Sequence, residues 1–229
     1  RLAGKPCSAH MVAAALAGWW LTGVYVRSKT ASRRLTPTNE RTMHAVPVPA
    51  GAGLIIVAVA LVLWALFRGA ALEVRHALLL GIFAGLAAVS WLDDRRPLSP
   101  AVRLLAQAGA VAVCLASLLP EARLVPFIPR SVELVLLALA WLWFINLFNF
   151  MDGIDGLAAS EAIAISAGYL AVVAVAGLAG PFTGLALVIG AATAGFLVWN
   201  WHPARVFMGD AGSIPLGFML GWLMIELAL

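Results

Sequence analysis

Charged residues cluster along this chain, and between the clusters lie seven long stretches with none: 6–26, 42–67, 76–92, 104–120, 134–151, 162–204 and 211–225. A helix rising 1.5 Å per residue needs roughly 17–25 apolar residues to cross a bilayer, so the first five predict one spanning helix each. The stretch 162–204 is long enough for two, with Gly177-Leu-Ala-Gly180-Pro181 as the break between them. The last continues past Glu226 to Leu229. Eight spans are therefore expected, at roughly 9–26, 51–67, 76–92, 104–120, 134–150, 160–177, 182–200 and 213–229. The first apolar run reads as a span rather than a signal peptide, because no small-residue cleavage site follows it. Without a repeat or a low-complexity tract, residues 1–229 read as a single all-α domain, a polytopic integral membrane helical bundle.

Composition agrees and narrows the class. The 229 residues are 63% hydrophobic and 11% charged, with a mean hydropathy of +0.98. Soluble domains carry about 25% charged residues, so soluble, disordered and disulfide-scaffold readings all fall. Cys7 and Cys114 are too far apart in sequence for a metal-ligand pair, and Cys114 reads as a buried thiol. Eight spans divide the loops between two sides. One side receives nine of the fifteen basic residues: Arg27, Lys29, Arg33, Arg34, Arg41, Arg95, Arg96, Arg103 and Arg205. That bias marks it as cytoplasmic, leaving both termini on the opposite side. No nucleic-acid partner is expected.

The carboxylates are distributed more unevenly than the cations. All five aspartates, Asp93, Asp94, Asp152, Asp155 and Asp210, fall in or beside loops of the cytoplasmic side, while the six glutamates scatter. Short carboxylates gathered on one membrane face suggest a metal or phosphate site. Asp93 and Asp94 are adjacent, about 100° apart on a helix, so one should face the bundle while the other meets a cation. Across Leu98-Ser99-Pro100, Ser99 can cap the next helix, and Arg103 follows. Asn146, Asn149 and Asp152 recur every three residues and predict a polar stripe at a helix end. Gly209 and Gly212 bracket Asp210, which is expected in a loop, with Ser213 and Pro215 starting the last helix. Such a glycine turn would offer backbone N–H groups to an anion while the aspartate holds a magnesium ion. Arg41 and His44 could meet phosphate or anionic lipid. His10, His76 and His202 read as interfacial, as do Trp91, Trp199 and Trp201. Gly81/Gly85 and Gly217/Gly221 have the spacing of helix-packing glycines.

Four motifs together resemble one family, the polyprenyl-phosphate N-acetylhexosamine-1-phosphate transferases (glycosyltransferase family 4). They are Pro37-Thr-Asn39-Glu-Arg41 with His44, Leu92-Asp93-Asp94-Arg95 with Leu98-Ser99-Pro100, Asn149-Phe-Met-Asp152-Gly-Ile-Asp155-Gly-Leu-Ala158, and Asn200 with Pro203-Ala-Arg-Val-Phe-Met-Gly209-Asp210-Ala-Gly-Ser213. The third and fourth look most like the branch serving surface polysaccharides, O-antigen among them. Ala50, Ala52 and Ala101 depart from the family's usual residues. The resemblance implies an enzyme of the bacterial inner membrane with its site facing the cytoplasm. It would transfer a sugar-1-phosphate from a UDP-N-acetylhexosamine to polyprenyl phosphate, with Mg2+ as cofactor. Asp93, Asp94 and Asp210 would then be catalytic, and Asp210 and Asp94 would hold the metal. Asn39, Arg41, His44, Arg103, Asn149, Asp152, Asp155, Asn200 and Gly209 would bind substrates. A homodimer is left open. The chain starts at Arg1 and stops at Leu229, short of the family's histidine-rich loop, so an incomplete enzyme is expected. Two other classes stay open on the residues alone: an ion-coupled transporter, and an inactive paralogue acting as a scaffold.

Overall fold

The structure is a computed structural model that describes residues 6–28, 30–31, 35, 47–69, 73–118, 123–177, 180 and 182–229. Among these the chain forms eight helices: α1 (Pro6–Val26), α2 (Gly53–Arg68), α3 (Val74–Asp93), α4 (Pro100–Leu118), α5 (Arg130–Met151), α6 (Leu157–Val175), α7 (Thr183–Asn200) and α8 (Asp210–Ala228). Seven are long and apolar enough to cross a membrane. The exception is α2, with 16 residues, which at 1.5 Å each span about 24 Å, short of a 30 Å hydrocarbon core. The protein is a multi-pass helical membrane protein.

Two helices form the interior. Of α8, 72% lies buried in the bundle, and of α7, 56%, against 17% for α5. A helix that is apolar all round and covered on all sides is a bundle core, whereas equal hydrophobicity on an uncovered helix suits lipid. α2, α3, α5 and α6 pack around α8, α1, α2 and α6 around α7, and α4 lies outside against α3 and α5. Close approach depends on small residues. A Cβ on Gly18 or Gly195 would overlap backbone where α1 crosses α7, and one on Gly221 would overlap the Trp141 ring. Trp141 then donates its indole N–H to Phe218 O at 2.9 Å and stacks on the Phe218 ring.

Besides α2, expected at 51–67 as a span and too short to be one, the structure departs from the sequence reading in three places. α8 begins at Asp210 rather than at Ser213. Gly209, at φ 70°, makes the turn, and its carbonyl accepts the N–H groups of Gly212 and Ser213, so the first helical turn forms ahead of Pro215. Gly81 and Gly85 are exposed on α3 with open space around them, unlike Gly217 and Gly221, which pack against α5. His76 is buried, not interfacial: its Nδ1 accepts the Glu73 N–H at 3.2 Å and so caps the start of α3.

Candidate active site

Three chain segments carry acidic residues to one end of the bundle, where they meet the N-terminus of α8. Asp93 is the last residue of α3, and Asp94 is its C-cap. The Asp93 side chain turns inward, where Oδ1 accepts the Leu98 N–H at 2.6 Å and Oδ2 pairs with Arg103 at 3.2 Å. Adjacency does separate the two aspartates, but one of them, Asp93, both faces the bundle and meets the cation. Asp94 points across to α8 and accepts the Ala211 N–H at 3.4 Å. Arg103 is aimed by α4, which starts at Pro100 with the Ser99 hydroxyl accepting the Val102 N–H. Its guanidinium also reaches Asp210 Oδ2 at 3.4 Å, so it bridges α3 and α8.

The asparagine–aspartate stripe at the end of α5 splits between two neighbours. Asn146 donates to Gln107 Oε1 of α4 at 2.8 Å and so belongs to helix packing. Asn149 accepts the Ser213 hydroxyl, tying α5 to the first turns of α8. Asp152, just past α5, takes the Met208 N–H at 3.0 Å on Oδ1 and the Gly209 N–H at 2.8 Å on Oδ2. The glycine turn therefore does bind an anion, but the anion is a carboxylate of this chain. Burial pushes the Asp152 carboxyl up to about 7. The two N–H donors pull the other way, and the nearby charges of Asp210 and Asp94 add to the rise.

Asp155 lies in the next turn, where Oδ2 accepts the Ala204 N–H at 3.1 Å and meets His202 Nδ1 at 2.8 Å. Asn200 is buried at 1% exposure. Its Oδ1 accepts the Gly156 N–H at 3.1 Å, and its amide donates to Val206 O at 2.9 Å. It therefore holds the 152–156 and 201–209 loops together instead of facing a ligand, a role that its place in a motif could not reveal. Gly209 is likewise structural through its N–H and its φ, since a Cβ there would lie 2.9 Å from Gly51 N. The 47–53 segment is stitched to the same loop. Phe207 donates to Pro49 O, and Gly51, Ala52 and Gly53 donate to Phe207 O and Met208 O, at 2.8–3.2 Å. Asn39, Arg41 and His44 lie outside the described residues. His202 is the residue that sequence spacing missed; its partner Asp155 is 47 positions away.

The donor set suits magnesium. It offers hard carboxylate oxygens: Asp210 opens α8, and Asp94, the C-cap of α3, reaches the Ala211 N–H there. Mg2+ usually takes one or two protein carboxylates and completes its octahedron with water and phosphate oxygens. Among the described residues no three histidine, cysteine or carboxylate groups form an all-protein cage. Asp94 and Asp210 would be the two carboxylates that hold such an ion.

This end of the bundle is thus a carboxylate-rich site at a membrane surface, built on the start of a buried helix. Residues 76–228 match the model of glycosyl transferase family 4, and the chain belongs to that family. It is 37% identical over 191 residues to a probable undecaprenyl-phosphate N-acetylglucosaminyl 1-phosphate transferase of Bacillus subtilis, covering 80% of this chain and 52% of that protein. It is 32% identical over 205 residues to the decaprenyl-phosphate N-acetylglucosaminephosphotransferase of Mycolicibacterium smegmatis, covering 80% and 50%. It is also 30% identical over 233 residues to a phospho-N-acetylmuramoyl-pentapeptide-transferase of Picosynechococcus, covering 93% and 62%. The chain spans about half to three-fifths of the length of these relatives.

Proposed function

We propose that this chain carries the catalytic end of a transferase that moves an N-acetylhexosamine-1-phosphate from a UDP-sugar to polyprenyl phosphate, starting lipid-linked cell-wall or surface-polysaccharide synthesis. The observation that carries this reading is the carboxylate cluster at the α8 N-terminus, in a chain with relatives named as polyprenyl-phosphate N-acetylglucosamine phosphotransferases. A phosphate oxygen of the lipid attacks the β-phosphorus of the donor, the bond from that phosphorus to the bridging oxygen breaks, and UMP leaves with the oxygen. Such a reaction asks for positioning and charge neutralisation more than for covalent help. Bound between Asp210 and Asp94, Mg2+ would neutralise the donor's pyrophosphate oxygens. Asp93 acts through Arg103, holding the guanidinium where it faces Asp210. Asp152 and Asn149 fix the first turn of α8, so that Asp210 keeps its aim. The excess of basic residues in the loops of this face supports a cytoplasmic site, where nucleotide sugars are made.

The test is UMP release from purified protein in detergent, with a panel of UDP-N-acetylhexosamines. Release that needs the donor, the lipid phosphate and Mg2+ together is expected. Ion-driven uptake into vesicles without UMP release would instead make the chain a carrier, and lipid-phosphate binding without release would make it an inactive scaffold.

A further inference from the structure

Two arginines share one aromatic ring at the edge of the bundle, outside the carboxylate site. Arg27 follows α1, and its guanidinium carbon lies 5.6 Å from the centre of the Trp199 indole. Arg205, in the 201–209 loop, lies 5.9 Å from the same centre. The ring is fixed from both sides, because Trp199 donates its indole N–H to Trp19 O at 2.9 Å and its carbonyl accepts the Arg205 N–H at 2.9 Å. Both arginines are exposed, and among the described residues neither forms a salt bridge. One arginine on one indole is an ordinary cation–π pair, as Arg95 and Trp91 show at 3.8 Å. Two arginines from different segments converge on one ring, their guanidinium carbons 5.6 and 5.9 Å from the same indole centre. That arrangement is stable when an anion accepts from both.

We infer that Arg27, Trp199 and Arg205 form a clamp for the phosphate of an anionic phospholipid in the leaflet on the side of the aspartates. The surroundings choose the lipid over a soluble phosphate. Trp20 and Trp201 are each 61% exposed beside the clamp, and Trp19 is 44% exposed, an aromatic belt of the kind that sits at the headgroup level. Lys29, Arg33 and Arg34 follow Arg27 in sequence, and a basic run just beyond a spanning helix is drawn to an acidic leaflet. The clamp also sits on the loop whose Met208 and Gly209 hold Asp152. A bound lipid would therefore brace the segment that shapes the site.

The experiment measures retention of phosphatidylglycerol against phosphatidylcholine on the purified full chain by native mass spectrometry, so it needs no transferase activity and can fail independently of the function proposed above. A preference of about fivefold for phosphatidylglycerol is expected, reduced to about one in Arg27→Gln/Arg205→Gln. Charge-keeping Arg27→Lys/Arg205→Lys should fall between. An unchanged preference in the Gln double variant would overturn the clamp. So would displacement of the lipid by millimolar UDP-N-acetylglucosamine or inorganic phosphate, which would assign the cations to a soluble ligand. If the double variant fails to fold, the single exchanges decide: each should about halve the preference, and two singles that retain it whole overturn the proposal.

Discussion

Carboxylates at the two ends of the bundle are treated in opposite ways. At the end away from the aspartates, Glu133 is one carboxylate served by four donors. Its Oε1 accepts the N–H groups of Leu124 and Val125 at 2.6 and 2.9 Å, and its Oε2 meets Arg123 at 2.9 Å and Arg130 at 3.3 Å. At the other end Asp93, Asp94, Asp152 and Asp210 gather around the start of α8, and Arg103 bridges two of them. Two cations for one carboxylate is a closed structural lock. Among the described residues, the four aspartates instead share Arg103 and backbone N–H groups lent by the 208–211 turn. The second cluster is the one proposed above to take a metal and phosphates.

The sharpest way to break this contrast is Asp210→Asn. Loss of the carboxylate nearest the proposed metal should lower turnover by about a thousandfold or more at saturating Mg2+, while far-ultraviolet dichroism stays unchanged. Turnover within a few fold of wild type would remove Asp210 from the metal. Arg103→Gln should act on the balance itself. Turnover is expected to fall by about tenfold, yet half-saturation by Mg2+ should move to lower concentration because the cluster has lost a cation. A higher Mg2+ requirement would show that Arg103 neutralises substrate rather than protein. Glu133→Gln belongs to the other end. It should leave turnover within about twofold, yet lower the unfolding temperature by several °C because two arginines lose their shared partner.

The smallest effect concerns Asp152. Its carboxyl in the fold lies near 7, above the ordinary value of 3.8. A raised value favours the protonated form, so this contribution to stability is whole below about pH 4 and is lost as pH rises through 7. The unfolding temperature in metal-free buffer should fall by a few °C from pH 4.5 to 7.5. Asp152→Asn should flatten that slope, and so should millimolar Mg2+, by offsetting the charges of Asp94 and Asp210. A slope unchanged by both would assign it to another group.

Hydropathy alone made seven of the eight expected spans legible, because the lack of water in a bilayer forces long apolar runs; the 51–67 stretch forms only the 16-residue α2. The gathering of five aspartates on one side was equally readable, since it follows from counting spans. What stayed hidden is pairing across the chain. Nothing near Asn200 tells that both ends of its amide are taken by backbone, and nothing near His76 tells that neighbouring helices bury it. Gly81 and Gly85 share their spacing with Gly217 and Gly221, yet only the second pair meets another helix. Spacing identifies a stripe but not what lies opposite it. The start of α8 was misjudged by three residues because Pro215 looks like a first-turn proline. The Gly209 turn and the carboxylate of Asp152 start the helix earlier.

The stitch between residues 49–53 and 207–208 also sets an order in time. Gly53 and Gly212 approach so closely that a Cβ on either would overlap the other's backbone. The ladder joins a segment near the start of the chain to one synthesised roughly 155 residues later. During synthesis α2 enters the membrane long before its partner loop exists, and Asp93 and Asp94 must wait with it. A ribosome paused before Asp210 has made Asp93, Asp94, Asp152 and Asp155 but no seat for Asp210. The ladder and the seat of Asp210 therefore form only once α8 has been made.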